Sequence, residues 1–198
     1  MSRWYDWYLA ALADAVNWQI QTYRAHGYRG LLKVLIPGGG YYPDDLHEGI
    51  HAYFGDAGAD RLLGRGVGFF KTLDQIKPRD SVQIVTTALV DGTGKPANNP
   101  CAPADAEVDI WTNMAVRDWS STRWVSHIAR RAGFAIAGES AGPQVAGYFP
   151  GVIDVALQQT TSCGLRNMMW AFDGELYDGT PGSSLKDYAD AIARATSR

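Results

Sequence analysis

Short apolar runs alternate with helical segments along this chain, and that alternation is the feature that most limits how it can fold. Four runs have the length and composition of buried strands, at residues 31–36, 81–89, 134–138 and 167–172. Helical spacing of apolar residues separates them and continues to a last helix that begins near Leu185. Alternating strands and helices predict a parallel sheet with right-handed crossovers, hence an α/β fold. The 198 residues suit a single domain.

A long helix is predicted before the first strand, over residues 4–26, and Gly27 ends it. It carries two apolar rows. One row consists of Tyr5, Leu9, Leu12, Val16, Ile20 and Tyr23, and the other of Trp4, Tyr8, Ala11, Ala15 and Trp18. A helix with two apolar rows is expected to be covered on two sides, by its own domain or by a partner chain.

Charge and hydropathy exclude several classes of partner. The formal net charge is −3 and no stretch concentrates Lys and Arg, so we expect no nucleic-acid binding. No apolar stretch approaches the roughly 18 residues of a membrane span, so we expect a chain that does not enter a membrane, either cytoplasmic or secreted without a visible signal peptide. Cys101 and Cys163 are expected to be a loop thiol and a buried thiol, with a single disulfide bridge as the alternative.

Carboxylates, aromatic rings and amides gather where the predicted strands end, which is where parallel α/β sheets bind ligands. Two of the four glutamates lie there, Glu139 and Glu175. Carboxylates serve glycoside hydrolysis as nucleophile, acid or base, and flat rings stack on sugars. The strand ends therefore predict a sugar site. Its other candidate residues are Asp173, Trp170, Tyr41, Tyr42, Asp91, Asn113 and Trp111.

Two of these strand ends resemble a known enzyme family. Ala137-Gly138-Glu139-Ser140 is similar to the seventh-strand nucleophile region of the clan A (β/α)₈ glycoside hydrolases, which include β-galactosidases and cellulases. Met169-Trp170-Ala171-Phe172 is similar to their eighth strand, whose tryptophan floors the sugar subsite. The resemblance implies a hydrolase of β-galactosides or β-glucosides with Glu139 as nucleophile and no cofactor. It also implies a (β/α)₄ half-barrel, a partial TIM barrel, with an extra N-terminal helix.

The chain departs from that family because strands corresponding to the first four are absent, together with their acid/base glutamate. The second acid is then Glu175, which we slightly favour, or Asp173, Asp91 or a residue of a second subunit. A half-barrel also leaves two sheet edges open. Two half-barrels could rebuild an eight-stranded ring, so we expect self-association as a dimer or tetramer.

One motif supports a different chemistry. His47-Glu48-Gly49-Ile50-His51 fits HExxH, in which two histidines on one helix bind zinc and the glutamate polarises water. The third ligand would be Asp56, Asp60 or Asp74. A zinc metalloprotease is therefore an alternative to the glycosidase. A second alternative is a carbohydrate-binding remnant without turnover.

Overall fold

The computed structural model describes residues 2–36, 69–90, 100–109, 113, 116, 119–140, 151–170, 174–179, 181–182 and 184–197. The helices are α1 (Ser2–Ala25), α2 (Phe69–Gln75), α3 (Ser121–Arg131), α4 (Val152–Ser162), α5 (Gly174–Asp178) and α6 (Leu185–Thr196). The strands are β1 (Leu32–Ile36), β2 (Val82–Leu89), β3 (Ala135–Ser140) and β4 (Met168–Met169), and a 3₁₀ helix spans Pro103–Glu107. No helix in these ranges is both long enough and apolar enough to cross a membrane.

The four strands form one parallel sheet in the order β1-β2-β3-β4. The expectation of a parallel α/β fold is therefore confirmed. Each strand pairs with the one that follows it in the chain, as neighbouring strands do in a (β/α) barrel, so the sheet is compatible with a half-barrel. Within the described ranges, β1 and β4 each pair on one side only.

The two faces of the sheet differ because side chains alternate along each strand. One face contributes Ile36, Val82, Ile84 and Ile136 to the hydrophobic core beneath the helices. On that side α3 packs on β2 and β3, and α4 packs on β3. The other face, here called the Glu139 face, consists of Lys33, Leu35, Gln83, Val85, Ala135, Ala137, Glu139 and Met169.

Helix α1 is covered on only one of its two apolar sides. Leu9, Ala13 and Ile20 are buried, and α1 packs on α2. Leu12 and Tyr23, which were expected in the covered row, are exposed because they lie at the margin of that stripe. In the second row Trp4, Tyr8, Ala15 and Trp18 are exposed as well and Ala11 is half-buried, so no element of the described ranges covers Trp4 or Trp18.

The two cysteines form a disulfide, so the expectation of two thiols is wrong and its alternative is correct. Cys101 precedes the 3₁₀ helix and Cys163 follows α4. They are 62 residues apart in sequence, and they meet only because α3, β3 and α4 fold back between them.

Several predicted boundaries also shift. β3 continues through Glu139 to Ser140, and α5 was not predicted. Of the predicted run 167–172 only Met168 and Met169 form β4 and pair with β3, and residues 171 and 172 lie outside the described ranges. Ser120 caps α3 by accepting from the Arg123 N–H, and Gly133 follows that helix with φ of 85°. The predicted helix near residues 43–54 lies outside the described ranges.

Candidate functional site

Glu139 lies one residue before the end of β3, at the carboxyl edge of the sheet. Its register partner on β4 is Met169. The side chain is partly exposed, yet its Oε2 atom is buried and has no hydrogen-bond partner among the described residues. A buried acceptor without a donor costs about 1–3 kcal/mol, and such atoms in a native structure require an explanation. An arriving hydroxyl donor is one explanation that fits a carboxylate at a ligand-binding edge.

The surroundings of Glu139 combine small residues with a second unpaired polar atom. Ala135 and Ala137 precede it on the same face, and Ala137 is buried. Gln83 is fully buried on that face, and its Oε1 atom also has no hydrogen-bond partner. Leu35 and Met169, at the two edges of the face, are more than half exposed. The Glu139 face is thus closed in its middle and accessible at both margins.

The neighbouring end of β2 is irregular. The register between β2 and β3 shifts between Thr86 and Leu89, which places a bulge beside the carboxyl end of β3. Val90 follows with φ of 65°, a strained conformation for a β-branched residue. Its N–H donates to the Oε1 atom of Gln159 over 3.0 Å in a buried bond. Bulges and strained residues are common beside functional sites, and nothing in the sequence signals this one.

Trp170 follows β4 and turns toward the helical layer. Its ring packs against the hydrophobic core and meets Tyr188 of α6 edge to face, with ring centroids 6.2 Å apart. The indole Nε1 is buried without a partner. Met169, and not Trp170, is the residue of β4 in register with Glu139. Packing in the core therefore accounts for most of what the structure shows of Trp170, and its role under a sugar stays a prediction.

The other predicted site residues are placed less fully. Glu175 belongs to α5, directly after β4, and only its backbone position is described. Asn113 is exposed, and its N–H donates to the carbonyl oxygen of Asp109 over 3.0 Å. Outside the described ranges lie Tyr41, Tyr42, His47, His51, Asp91, Trp111 and Asp173. Within those ranges, no three His, Cys, Asp or Glu side chains are grouped to hold a metal ion.

A second polar cluster lies along α3, and no sequence pattern indicated it. Arg123 forms a two-point ion pair with Asp105 of the 3₁₀ helix, at 2.6 and 2.8 Å. His127 lies one turn further along α3 and borders a cavity of about 320 Å³ beside the disulfide. Burial, followed by the charge of Arg131, lowers the pKa of His127, while the Asp105 charge opposes the shift.

The Nε2 atom of His127 is buried, so a ligand in the cavity would not reach it without movement of the protein. The cluster joins the 3₁₀ helix to α3 and is best explained as structural. The strand-end residues around Glu139 remain the stronger candidate site. No protein-family model, no curated protein and no solved structure matches this chain.

Proposed function

We propose that this protein is a glycoside hydrolase acting on β-linked glycosides, with Glu139 as its nucleophile. The observation that supports it most is the position of that carboxylate. It lies at the carboxyl edge of a parallel sheet, on the face turned away from the core helices, and one of its oxygens is buried and accepts no hydrogen bond from the described part of the chain. Barrel enzymes hold catalytic groups at this edge. No cofactor is needed for the reaction.

The chemistry requires a second carboxyl group. A retaining hydrolase holds the two about 5 to 5.5 Å apart, and neighbouring strands are ~4.8 Å apart. Glu175 and Asp173 follow β4 and Asp91 follows β2, and these are the two neighbours of β3 in the sheet. Glu139 would attack the anomeric carbon and form a glycosyl-enzyme ester while the second acid protonates the departing oxygen. Water then hydrolyses the ester with that residue as base.

Binding of the sugar is assigned to residues that follow the predicted strands and, for Trp111 and Asn113, to residues that border the long segment after β2. Tyr41, Tyr42, Trp111 and Trp170 would offer rings, and Asp91 and Asn113 would bond hydroxyl groups. The resemblance of the strand ends to β-galactosidases and cellulases makes β-galactosides and β-glucosides the first substrates to test.

Completion of the barrel by a second copy is part of this proposal. The described sheet has four strands, and its margins expose Leu35 and Met169. Two such sheets related by a twofold axis supply the eight strands of a closed ring and would cover both margins. The second copy is then a possible source of the acid/base residue.

The test is turnover of a panel of nitrophenyl β-glycosides by the wild type and by Glu139→Gln. We expect the variant to lose about 10³-fold or more in kcat, because the amide is not a competent nucleophile. Glu107→Gln is the matched control, since Glu107 is an exposed glutamate of the 3₁₀ helix, and its rates should equal those of the wild type. Equal rates for wild type and Glu139→Gln would reject the assignment.

A chemical rescue separates a nucleophile from a structural glutamate. In Glu139→Ala, added azide should attack the anomeric carbon of the nitrophenyl glycoside, expel nitrophenolate and form a glycosyl azide of inverted configuration. A structural role predicts no azide-dependent product.

Two alternatives have their own readouts. A carbohydrate-binding remnant would bind sugars without turnover in either protein. The HExxH motif of His47 and His51 favours a zinc enzyme, and one zinc per chain by atomic emission would replace our proposal with that one.

A further inference from the structure

Helix α1 presents an exposed aromatic surface opposite the side that holds it to the protein. On its inner side Leu9, Ala13 and Ile20 are buried, and Asn17 bonds the Gln75 carbonyl oxygen and the Lys77 N–H over 2.9 and 2.8 Å. With 3.6 residues per turn, the opposite side carries a stripe about 100° wide. We call it the aromatic face, and it consists of Trp4, Trp7, Tyr8, Ala11, Ala15 and Trp18.

The aromatic face exposes a large apolar area. Trp7 and Trp18 are each 64% exposed and Trp4 is 54% exposed. Since a whole aromatic side chain presents roughly 150–250 Å², the face exposes about 500 Å² of mainly apolar surface. That is near the upper limit for the largest apolar patch on a soluble monomer. Two such faces together supply about 1,000 Å², close to the lower limit of ~1,200 Å² for a specific interface, and flanking residues can supply the rest.

We propose that the aromatic face binds the same face of a second copy, with the two α1 helices antiparallel and a twofold axis at Ala11. In that register Trp4 faces Trp18 and Trp7 faces Ala15. Ala15 leaves room for Trp7, and the pair of Ala11 residues lets the helices approach closely. The contact of Trp4 with Trp18 joins two large side chains.

Charge and rigidity support this occupant. Arg3 falls opposite Gln19 and Asp6 opposite Val16, so no like charges meet. Trp4 and Tyr8 already stack with ring centroids 5.6 Å apart, which lowers the entropy that pairing would cost. A parallel pairing would instead place each tryptophan on its own copy. The helix carries two arginines and two aspartates, so it lacks the excess positive charge of helices that bind anionic membranes.

This interface is separate from the one that would complete the barrel, because α1 packs on α2 in the helical layer and the barrel would close at β1 and β4. The two interfaces together would give a pair of dimers. The α1 interface does not depend on the proposed hydrolase activity.

Cysteine cross-linking tests the register directly, since both native cysteines are already paired in the disulfide. Ala11→Cys should form a covalent dimer under mild oxidation, because two copies of position 11 meet at the axis. Ala25→Cys is the control. Ala25 is also exposed on α1, but two copies would lie about 42 Å apart in the antiparallel arrangement, at 1.5 Å rise per residue. Equal cross-linking of both variants would overturn the proposal. Random collisions between molecules, or a parallel pairing of the helices, would then explain the covalent dimers.

Mass measurement by light scattering gives an independent test. Ala15→Glu places a charge opposite Trp7 while keeping a good helix former at an exposed site, so the particle mass should halve without loss of circular dichroism. Ala25→Glu should keep the wild-type mass. A mass of 21.6 kDa for the wild type at micromolar concentration would refute the pairing. An unchanged mass in Ala15→Glu, with loss of binding to phosphatidylcholine vesicles or to sugars, would assign the face to those ligands instead.

Discussion

The Asp105–Arg123 ion pair allows a sharp test of the structure, because both partners are buried. Their side chains are 9% and 10% exposed. Both carboxylate oxygens contact the guanidinium, the Ala102 N–H also donates to Asp105, and the guanidinium carbon lies 4.3 Å from the centre of the Trp119 ring. We therefore consider the cycle of Asp105→Asn, Arg123→Met and the double variant.

Each single substitution should lower the free energy of unfolding by about 3–5 kcal/mol, because it removes one member of a buried, two-point ion pair. That is a large share of the 5–15 kcal/mol typical of a domain. The double variant should cost less than the sum of the two by about 2–3 kcal/mol, since it removes both charges together.

Urea unfolding with the disulfide oxidised, followed by tryptophan fluorescence, measures these differences. The matched control is Arg194→Met. Arg194 pairs with Asp154 in a similar geometry, with bonds of 2.8 to 3.1 Å, but their side chains are 57% and 51% exposed. It should cost under about 1 kcal/mol. If Asp105→Asn and Arg123→Met cost as little as this control, or if their effects simply add, the pair is not desolvated and the reasoning fails.

Two further predictions concern the same region. Replacing both Cys101 and Cys163 by serine should lower the free energy of unfolding by about 4 kcal/mol in the chain-entropy account, because the bridge closes a loop of 62 residues; a loss below about 1 kcal/mol in urea unfolding would contradict it. Since the pKa of His127 is lowered from 6.5, the unfolded chain binds more protons than the folded one just below that pH, and stability should fall as the pH decreases from about 6.5 toward the lowered pKa. Urea midpoints between pH 5 and 8 should show a weaker pH dependence in His127→Gln, and identical slopes would count against a buried neutral imidazole.

The strands and helices that could be predicted are those with a strong local pattern. The apolar runs of β1, β2 and β3 and the helical spacing in α1, α3, α4 and α6 set their positions to within a few residues. The length of β4 depends on how many backbone partners it finds, which is a property of the sheet and not of its apolar residues. The disulfide depends on contacts made across 62 residues of chain.

The candidate site shows the same division. The position of Glu139 at a strand end follows from the apolar segment before it. Which residue of the next strand lies beside it depends on register, and register places Met169 there. The ion pair of Asp105 and Arg123 joins a loop to a helix and has no periodic signature, so sequence patterns do not reveal it.

The residues on either side of the segment 91–100, Val90 and Cys101, are both bonded to the C-terminal end of α4. At one end the Val90 N–H bonds Gln159, and at the other Cys101 is bridged to Cys163, about one helical turn away. Cys101 is held again by its N–H bond to Ser162 over 3.1 Å. These bonds hold Val90 and Cys101 in place whatever sequence lies between them. Insertions or replacements in 91–100 should therefore leave the sheet and α4 intact. New sequences could therefore be introduced between residues 91 and 100. One end of the replaced segment would lie at the carboxyl edge of the sheet.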